Sequence, residues 1–199
     1  MTDHDFGKDY WDEHWHQARH PADRNAPNPY LAEEIGDLAP GTALDAGCGT
    51  GAEAAWLASH GWQVTAADIS AEALARAAAL ETSGRVRWVE ADLTAWDPGT
   101  RFDLVMTHYA HPAMPQLDFY ERISAWVAPG GTLLIVGHLH TADATGHDHH
   151  PPAHATVTLD GITATLDGAR WKITTAEEHV RTAGGNPLHD VVVRATRLA

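Results

Sequence analysis

The sequence predicts a doubly wound α/β fold around a mostly parallel sheet. Strand-like and helix-like segments alternate with short connections from residue 42 to residue 137. The fifth strand-like segment, 132–137, is almost continuously apolar, as a strand covered by helices on both faces should be. A glycine-rich turn separates the first strand from the first helix of that rhythm.

Residues 1–30 read as a mostly irregular segment with one short helix near 9–15, on which Trp11 and Trp15, four apart, share a face. The stretch 21–29, with Pro21, Pro27 and Pro29, is a loop, and a helix follows at 30–38. The first strand is 42–45. A helix over 52–60 is stopped by Gly61, and the second strand is 64–68. Ser70 suits the N-cap of an alanine-rich helix over 71–82. Strands at 86–90 and 102–107 follow, the latter apolar enough to be central. A helix over 116–127 ends before a turn at Pro129-Gly130-Gly131, and 132–137 is the fifth strand. Residues 138–154 form a histidine- and proline-rich loop. The 156–167 segment is a weak helix, because of its β-branched content and Gly161. Strands at 170–175 and 190–196 close the sheet edge, one of them allowed to be antiparallel. The total is seven strands. Ligands of such sheets sit outside the carboxyl ends of the strands, where the strand order reverses.

Bulk properties narrow the partners. The chain has 199 residues, enough for one domain with a sizeable core. Its net charge of −14 opposes a nucleic-acid backbone or an anionic membrane, and no run of basic residues marks a binding stripe. Small-molecule chemistry is the default. Cys48 is the sole cysteine, so neither an intrachain disulfide nor a one-chain thiolate metal cluster can form. The polar N-terminus has no signal-peptide core and no apolar run is bilayer length, from which a cytoplasmic location is expected.

Asp45-Ala46-Gly47-Cys48-Gly49-Thr50-Gly51 carries the strongest local signal. Its glycines let a ligand lie against the turn and the helix N-terminus. Asp68, ending the next strand, is placed to accept the two hydroxyls of an adenosine ribose. The spacing alone is ambiguous: Gly47, Gly49 and Ala52 also satisfy the G-x-G-x-x-A dinucleotide fingerprint, which holds pyrophosphate at a helix N-terminus. A nicotinamide-dependent oxidoreductase is the competing enzyme reading. A noncatalytic binding protein that retains the fold is a third.

The order of motifs resembles the class I S-adenosylmethionine-dependent methyltransferases over about 42–138, and their Rossmann-like sheet is the fold so implied. The resemblance assigns Asp45, Gly47, Cys48 and Gly49 to the methionine portion of S-adenosylmethionine, Asp68 to the ribose and Ile69 to the flank of the adenine. Ala91-Asp92-Leu93 resembles the motif that meets adenine, with Asp92 at its amino group and Leu93 on its ring. Pro129 to Leu133 resembles the turn before strand five. Tyr10-Trp11-Asp12, followed by Pro27-Asn28-Pro29-Tyr30-Leu31, is similar to the small thiopurine and tellurite-resistance methyltransferase group. That likeness implies a single domain over 1–199 with 1–30 as a lid over the cofactor. Trp11 and Trp15 then line the pocket, or else are ordinary core aromatics pinning the N-terminus. Asn28 marks a turn near the cofactor, or is a plain loop residue.

Fifteen histidines exceed what most proteins of this length carry. His4, His14, His16 and His20 belong to a polar end segment and are expected in solvent. His108 and His111 follow strand four, and His138 and His140 follow strand five, so parallel neighbours deliver them to one sheet end. His108 and Tyr109 are expected beside the methyl group, His108 as a cofactor contact. A neutral imidazole can take a proton from an oxygen, nitrogen or sulfur nucleophile. His111 is the favoured base, with His138 second and Tyr109 a further catalytic candidate. Methyl transfer is a single in-line displacement, so alignment dominates, and an acceptor that is already an anion needs no base. A divalent metal is the alternative use of the histidines, with His111, His138 and His140 as inner ligands and His147, Asp148, His149, His150 and His154 as an outer cluster. The spacing matches no specific metal motif, and no metal ligand is assigned. Arg181 meets an anionic substrate or pairs with Glu177 on a surface helix. The expected function is methyl transfer from S-adenosylmethionine to a small molecule. No pattern specifies an oligomeric interface.

Overall fold

The computed structural model describes residues 6–17, 26–140, 155–183 and 186–199. The first elements are α1 (Lys8–Gln17), α2 (Pro29–Ile35), β1 (Thr42–Ala46), α3 (Ala52–Ser59), β2 (Gln63–Asp68), α4 (Ala71–Leu80) and β3 (Val86–Glu90). They are followed by β4 (Phe102–His108), α5 (Gln116–Ser124), β5 (Val127–Leu139), β6 (Thr156–Val157), α6 (Leu159–Thr165), β7 (Trp171–Ala183) and β8 (Asn186–Arg197). The sheet order is β3-β2-β1-β4-β5-β8-β7, with the two-residue β6 beside β5. The expected seven strands therefore form the main path, and β6 adds an eighth among the described residues. Strands β1 to β5 are parallel, whereas β8 runs antiparallel to β5 and β7 antiparallel to β8.

Alternation along each strand divides the core between the two faces. Leu104, Met106, Leu134 and Val136 pack with Leu31 and Ile35 of α2 and Leu57 of α3. Val105, Leu133 and Ile135 pack with Phe119 and Ile123 of α5 and Ile162 of α6. β4 lies between β1 and β5, and its Leu104, Val105 and Met106 are fully buried, in agreement with the central position its composition predicts.

Three expectations change. The Pro129-Gly130-Gly131 segment is not a turn ahead of strand five but part of it: the register moves from Phe102↔Val127 to Leu104↔Thr132, so the extra residues form an irregularity inside the ladder. The preceding helix accordingly ends at Ser124. Residues 156–167 divide into β6 and α6. Gly161 is tolerated because it sits in the first turn of α6, where its N–H is capped by Thr158 Oγ1 at 3.0 Å and a Cβ would stand 3.4 Å from Leu117. The surface helix through Glu177 and Arg181 does not exist; both residues lie on β7, which runs to Ala183 and pairs along its length with β8.

From β1 the strand order runs one way through β2 and β3 and the other way through β4 and β5. The crevice between the carboxyl ends of β1 and β4 is therefore the topological switch point, where doubly wound sheets bind ligands. α1 reaches back to this end of the sheet. Lys8 Nζ donates to Ile69 O at 3.2 Å and pairs with Glu90 at 2.9 Å. Ser70 Oγ donates to Asp12 at 2.7 Å and accepts from Ala73 N at 3.3 Å as the predicted N-cap of α4. One buried hydroxyl thus starts α4 and moors α1. Ser70→Ala is expected to lower unfolding stability by about 1 kcal/mol, read from urea denaturation; an unchanged midpoint would contradict the capping role.

Candidate active site

A cavity of about 550 Å³ opens at the switch point, within the range of small-ligand sites. Its floor is the turn after β1. Gly47 has φ +82°, and a Cβ there would stand 2.2 Å from the Cβ of Ala110 in the loop after β4, so only glycine lets the two loops touch. Gly49 has φ +51°, and its open face lies against the indole of Trp15, which a Cβ would approach to 3.0 Å. Trp11 and Trp15 of α1 both line the cavity, so α1 forms one of its walls.

The Asp68 carboxylate stands beside this turn. Its Oδ2 accepts Gly49 N at 2.8 Å and its Oδ1 accepts Ser70 N at 2.9 Å. Burial pushes its pKa up despite these hydrogen bonds. A carboxylate offers about four lone-pair positions, so two accepted amides leave room for two ligand hydroxyls. Ile69, Asp92 and Leu93 complete this end of the cavity. Asp92 Oδ1 also accepts Thr94 N at 2.9 Å, which holds the loop after β3 in a turn.

The other end is aromatic. Tyr109 stacks on His138 with centroids 4.5 Å apart, His138 on His111 at 5.5 Å, and Phe6 lies 5.7 Å from His111. Tyr109 has φ +55°, rare for a non-glycine residue. A charged group behind the ring holds it: Arg181 Nη2 donates to the Tyr109 hydroxyl at 3.1 Å and Arg181 Nε pairs with Asp190. Asp190 is fully buried and also accepts from Tyr30 Oη at 3.1 Å. Burial and the Asp190 charge raise the Tyr30 hydroxyl to about 12 and that of Tyr109 well above its ordinary value. His108 lies between the two ends. It lines the cavity, its ring nitrogens are buried with no partner among the described residues, and burial lowers its pKa.

The structure gathers nearly every sequence-predicted site residue around this cavity: Trp11, Trp15, Gly47, Cys48, Gly49, Asp68, Ile69, Asp92, Leu93, His108, Tyr109, His111 and His138 all line it. Asp45 does not. It is 1% exposed beneath the turn, with Oδ2 unpartnered; burial, then Glu53 and Asp68, push its pKa up. His14, expected in solvent with His16, is exposed but also borders the cavity. Of the proposed inner metal ligands, His140 turns away, its Nδ1 2.9 Å from Thr156 Oγ1. No group of three or more metal-ligating side chains is assembled among the described residues. His4, His20 and the outer cluster from His147 to His154 lie outside the described residues. Asn28 caps α2, accepting Tyr30 N at 3.0 Å, and its own N–H donates to Glu53 on the cavity wall at 2.9 Å. Sequence reasoning missed Glu53, Phe6 and the pairing of Arg181 with Asp190. A Glu-Ala run on a helix and two charges on separate strands carry no spacing signal.

Comparison with known proteins agrees with this geometry. Residues 43–131 match the methyltransferase domain family. The chain is 30% identical to "Probable thiol methyltransferase 2" of Arabidopsis thaliana, over 63% of this chain and 60% of that protein. These likenesses support a class I S-adenosylmethionine-dependent methyltransferase domain over the matched residues. Among solved structures, 1,6-didemethyltoxoflavin-N1-methyltransferase of Burkholderia thailandensis, bound to its substrate and S-adenosylhomocysteine, superposes with a TM-score of 0.71 at 25% identity, over 96% of this chain and 87% of that one. TehB of Haemophilus influenzae shares the fold, with a TM-score of 0.69 at 16% identity over 96% and 67% of the chains. The chain spans about half to three-fifths of the length of the curated relatives it matches first. In this chain the glycine turn, Asp68 and Asp92 occupy one end of the cavity and the histidine stack the other.

Burial, followed by the neighbouring His111, lowers the His138 pKa from 6.5 to about 4. Because the folded value lies below the unfolded one, the neutral ring favours folding; this contribution is complete above pH 6.5 and is lost as pH falls toward about 4. An NMR titration is expected to give a His138 midpoint near 4, and a midpoint near 6.5 would contradict the buried, stacked environment.

Proposed function

We propose that this methyltransferase transfers the methyl group of S-adenosylmethionine to a nucleophilic atom of a small molecule. One observation carries the proposal: a single cavity runs from the Asp68 and Asp92 carboxylates, past the Gly47–Gly49 turn, to the His111–His138 stack. The residues present fit such a donor. Gly47 and Gly49 leave a bare backbone cradle that a Cβ would fill, and the orphaned nitrogens of His108 are buried polar groups that call for a partner. Asp68 would hold the ribose hydroxyls, Asp92 and Leu93 the adenine with Ile69 at its flank, and Gly47, Cys48, Gly49 and His108 the methionine portion. Asp45 acts from beneath, as a buried acid close to the turn.

When bound, the donor supplies an electrophilic methyl carbon on a sulfonium sulfur. The chain's contribution is alignment, exclusion of water and movement of one proton. Trp11 and Trp15 cover the turn as a lid, with residues 1–30 as the lid segment of a single domain. His111 is the base. His138 is kept neutral by burial and serves as its stacking neighbour. Tyr109, a further catalytic candidate, presents its ring to His138 while its hydroxyl accepts from Arg181.

A small acceptor is supported by the partly covered cavity and by the names of the thiol and toxoflavin methyltransferases that this chain resembles. The net charge of −14 weighs against nucleic acid. No described helix is long and apolar enough to cross a membrane, and a cytoplasmic location is part of the proposal. The comparisons favour neither a nicotinamide enzyme nor a metal-assisted reaction.

Asp68→Ala removes a charged acceptor worth about 1.5–3 kcal/mol, so donor affinity is expected to fall by about tenfold to a hundredfold, measured by titration calorimetry with S-adenosylhomocysteine. The same variant is expected to unfold more readily, because Gly49 N and Ser70 N lose their acceptor. Affinity equal to wild type would contradict the ribose role.

A further inference from the structure

His111 has two ring nitrogens, and which one bears the proton decides whether it can act as a base toward the cavity. The structure holds a group that makes this choice. Gln116, 5% exposed at the start of α5, lies within reach of the Nδ1 side of His111 and does not line the cavity. Its amide is oriented by the backbone: Nε2 donates to Ala110 O at 2.9 Å. The amide nitrogen can only donate and the carbonyl oxygen can only accept, so the end facing His111 is the acceptor. That Oε1 stands 3.2 Å from His111 Nδ1. Two acceptors cannot share a hydrogen bond, so Nδ1 carries the hydrogen and the neutral ring keeps its lone pair on Nε2. We infer that Gln116 is a positioning residue that holds His111 in the Nδ1–H form, making Nε2 the proton acceptor for an acceptor molecule that arrives uncharged, with an O–H, N–H or S–H at the reacting atom.

The lining of the cavity points to the same acceptor class. Among the described residues it contains no lysine or arginine, whereas Glu53, Asp68 and Asp92 are all present. The Arg181 guanidinium lies behind the Tyr109 ring and pairs with Asp190. Among the described residues an anionic acceptor finds no lining cation to replace its hydration, and a neutral one needs none. The acceptor's proton passes to His111 Nε2, the electron pair left on its O, N or S forms the bond to the methyl carbon, and the carbon–sulfur pair returns to sulfur. The imidazolium then releases the proton to water. This inference rests on the methyl-transfer proposal, but the tautomer can be read without turnover.

The test is a long-range ¹H–¹⁵N spectrum of the full chain labelled at histidine. Wild type is expected to show a pyrrole-type Nδ1 and a pyridine-type Nε2 for His111; the reverse pattern, or an even mixture, overturns the inference whatever any variant does. Gln116→Met, which removes the acceptor at similar length, is expected to move His111 toward the Nε2–H form and to lower kcat by about tenfold or more, with affinity for S-adenosylhomocysteine unchanged. Gln116→Glu, which as the carboxylic acid keeps both an acceptor oxygen opposite Nδ1 and an O–H donor toward Ala110 O, is expected to retain the wild-type tautomer. An unchanged tautomer in the Met variant, or a lost one in the Glu variant, overturns it. Absence of S-adenosylhomocysteine binding in wild type would sink the methyl-transfer reading and leave the tautomer result standing.

Discussion

The loops that follow β1 and β4 come together because Gly47 has no side chain: its φ of +82° and the Ala110 methyl in its place of approach exclude every other residue. Each of these loops leaves the sheet on one side of the point where strand order reverses, so their contact closes the floor of the crevice that the topology opens. Asp68 secures the arrangement from the next strand, accepting the Gly49 amide with one oxygen and the Ser70 amide with the other. Ser70 in turn starts α4 and moors α1 through Asp12. Glycine turn, carboxylate, capping hydroxyl and α1 therefore form one connected set of hydrogen bonds. A change at any member reaches the cavity wall.

The two ends of the cavity differ in chemistry for reasons that lie in the sheet. The β2 and β3 ends supply Asp68 and Asp92, short acidic side chains suited to hydroxyl and amino groups. The β4 and β5 ends supply Tyr109, His111 and His138, flat rings in mutual contact. The antiparallel β8 places Asp190 opposite His138, and the charge it brings is balanced by Arg181 from β7. Removing one partner of such a buried pair leaves an uncompensated charge, which costs far more than the pair contributes. The Tyr109 hydroxyl is held by a pair that does not line the cavity, while its backbone takes a φ of +55°.

The parts legible in the sequence were those whose physics is local. Apolar runs disclosed the parallel strands, Ser70 disclosed a helix start, and the Gly47–Gly51 turn with Asp68 disclosed one end of the cavity. Strands β4 and β5 each deliver histidines to the same edge, so His111 and His138 could be placed together before any distance was known. What escaped depends on contacts between distant segments. The spacing of Glu177 and Arg181 suits a helix as well as a strand, and only the long ladder with β8 decides for β7. Gln116 reads as an ordinary helix residue; its importance arises from Ala110 O and His111 meeting it in space. Asp45 is buried at 1% exposure and does not line the cavity, which its place in the glycine motif does not disclose.

The central claim is that one cavity at the β1/β4 switch point holds the donor with its sugar at Asp68 and its sulfur toward the histidine stack. A crystal structure of the chain with S-adenosylhomocysteine tests it most directly. The account predicts both ribose hydroxyls within hydrogen-bond distance of the Asp68 carboxylate, the adenine beside Asp92 and Leu93, and the sulfur facing Tyr109 and His111. A nucleoside bound in the reverse direction, or lodged away from the glycine turn with Asp68 uncontacted, would contradict it.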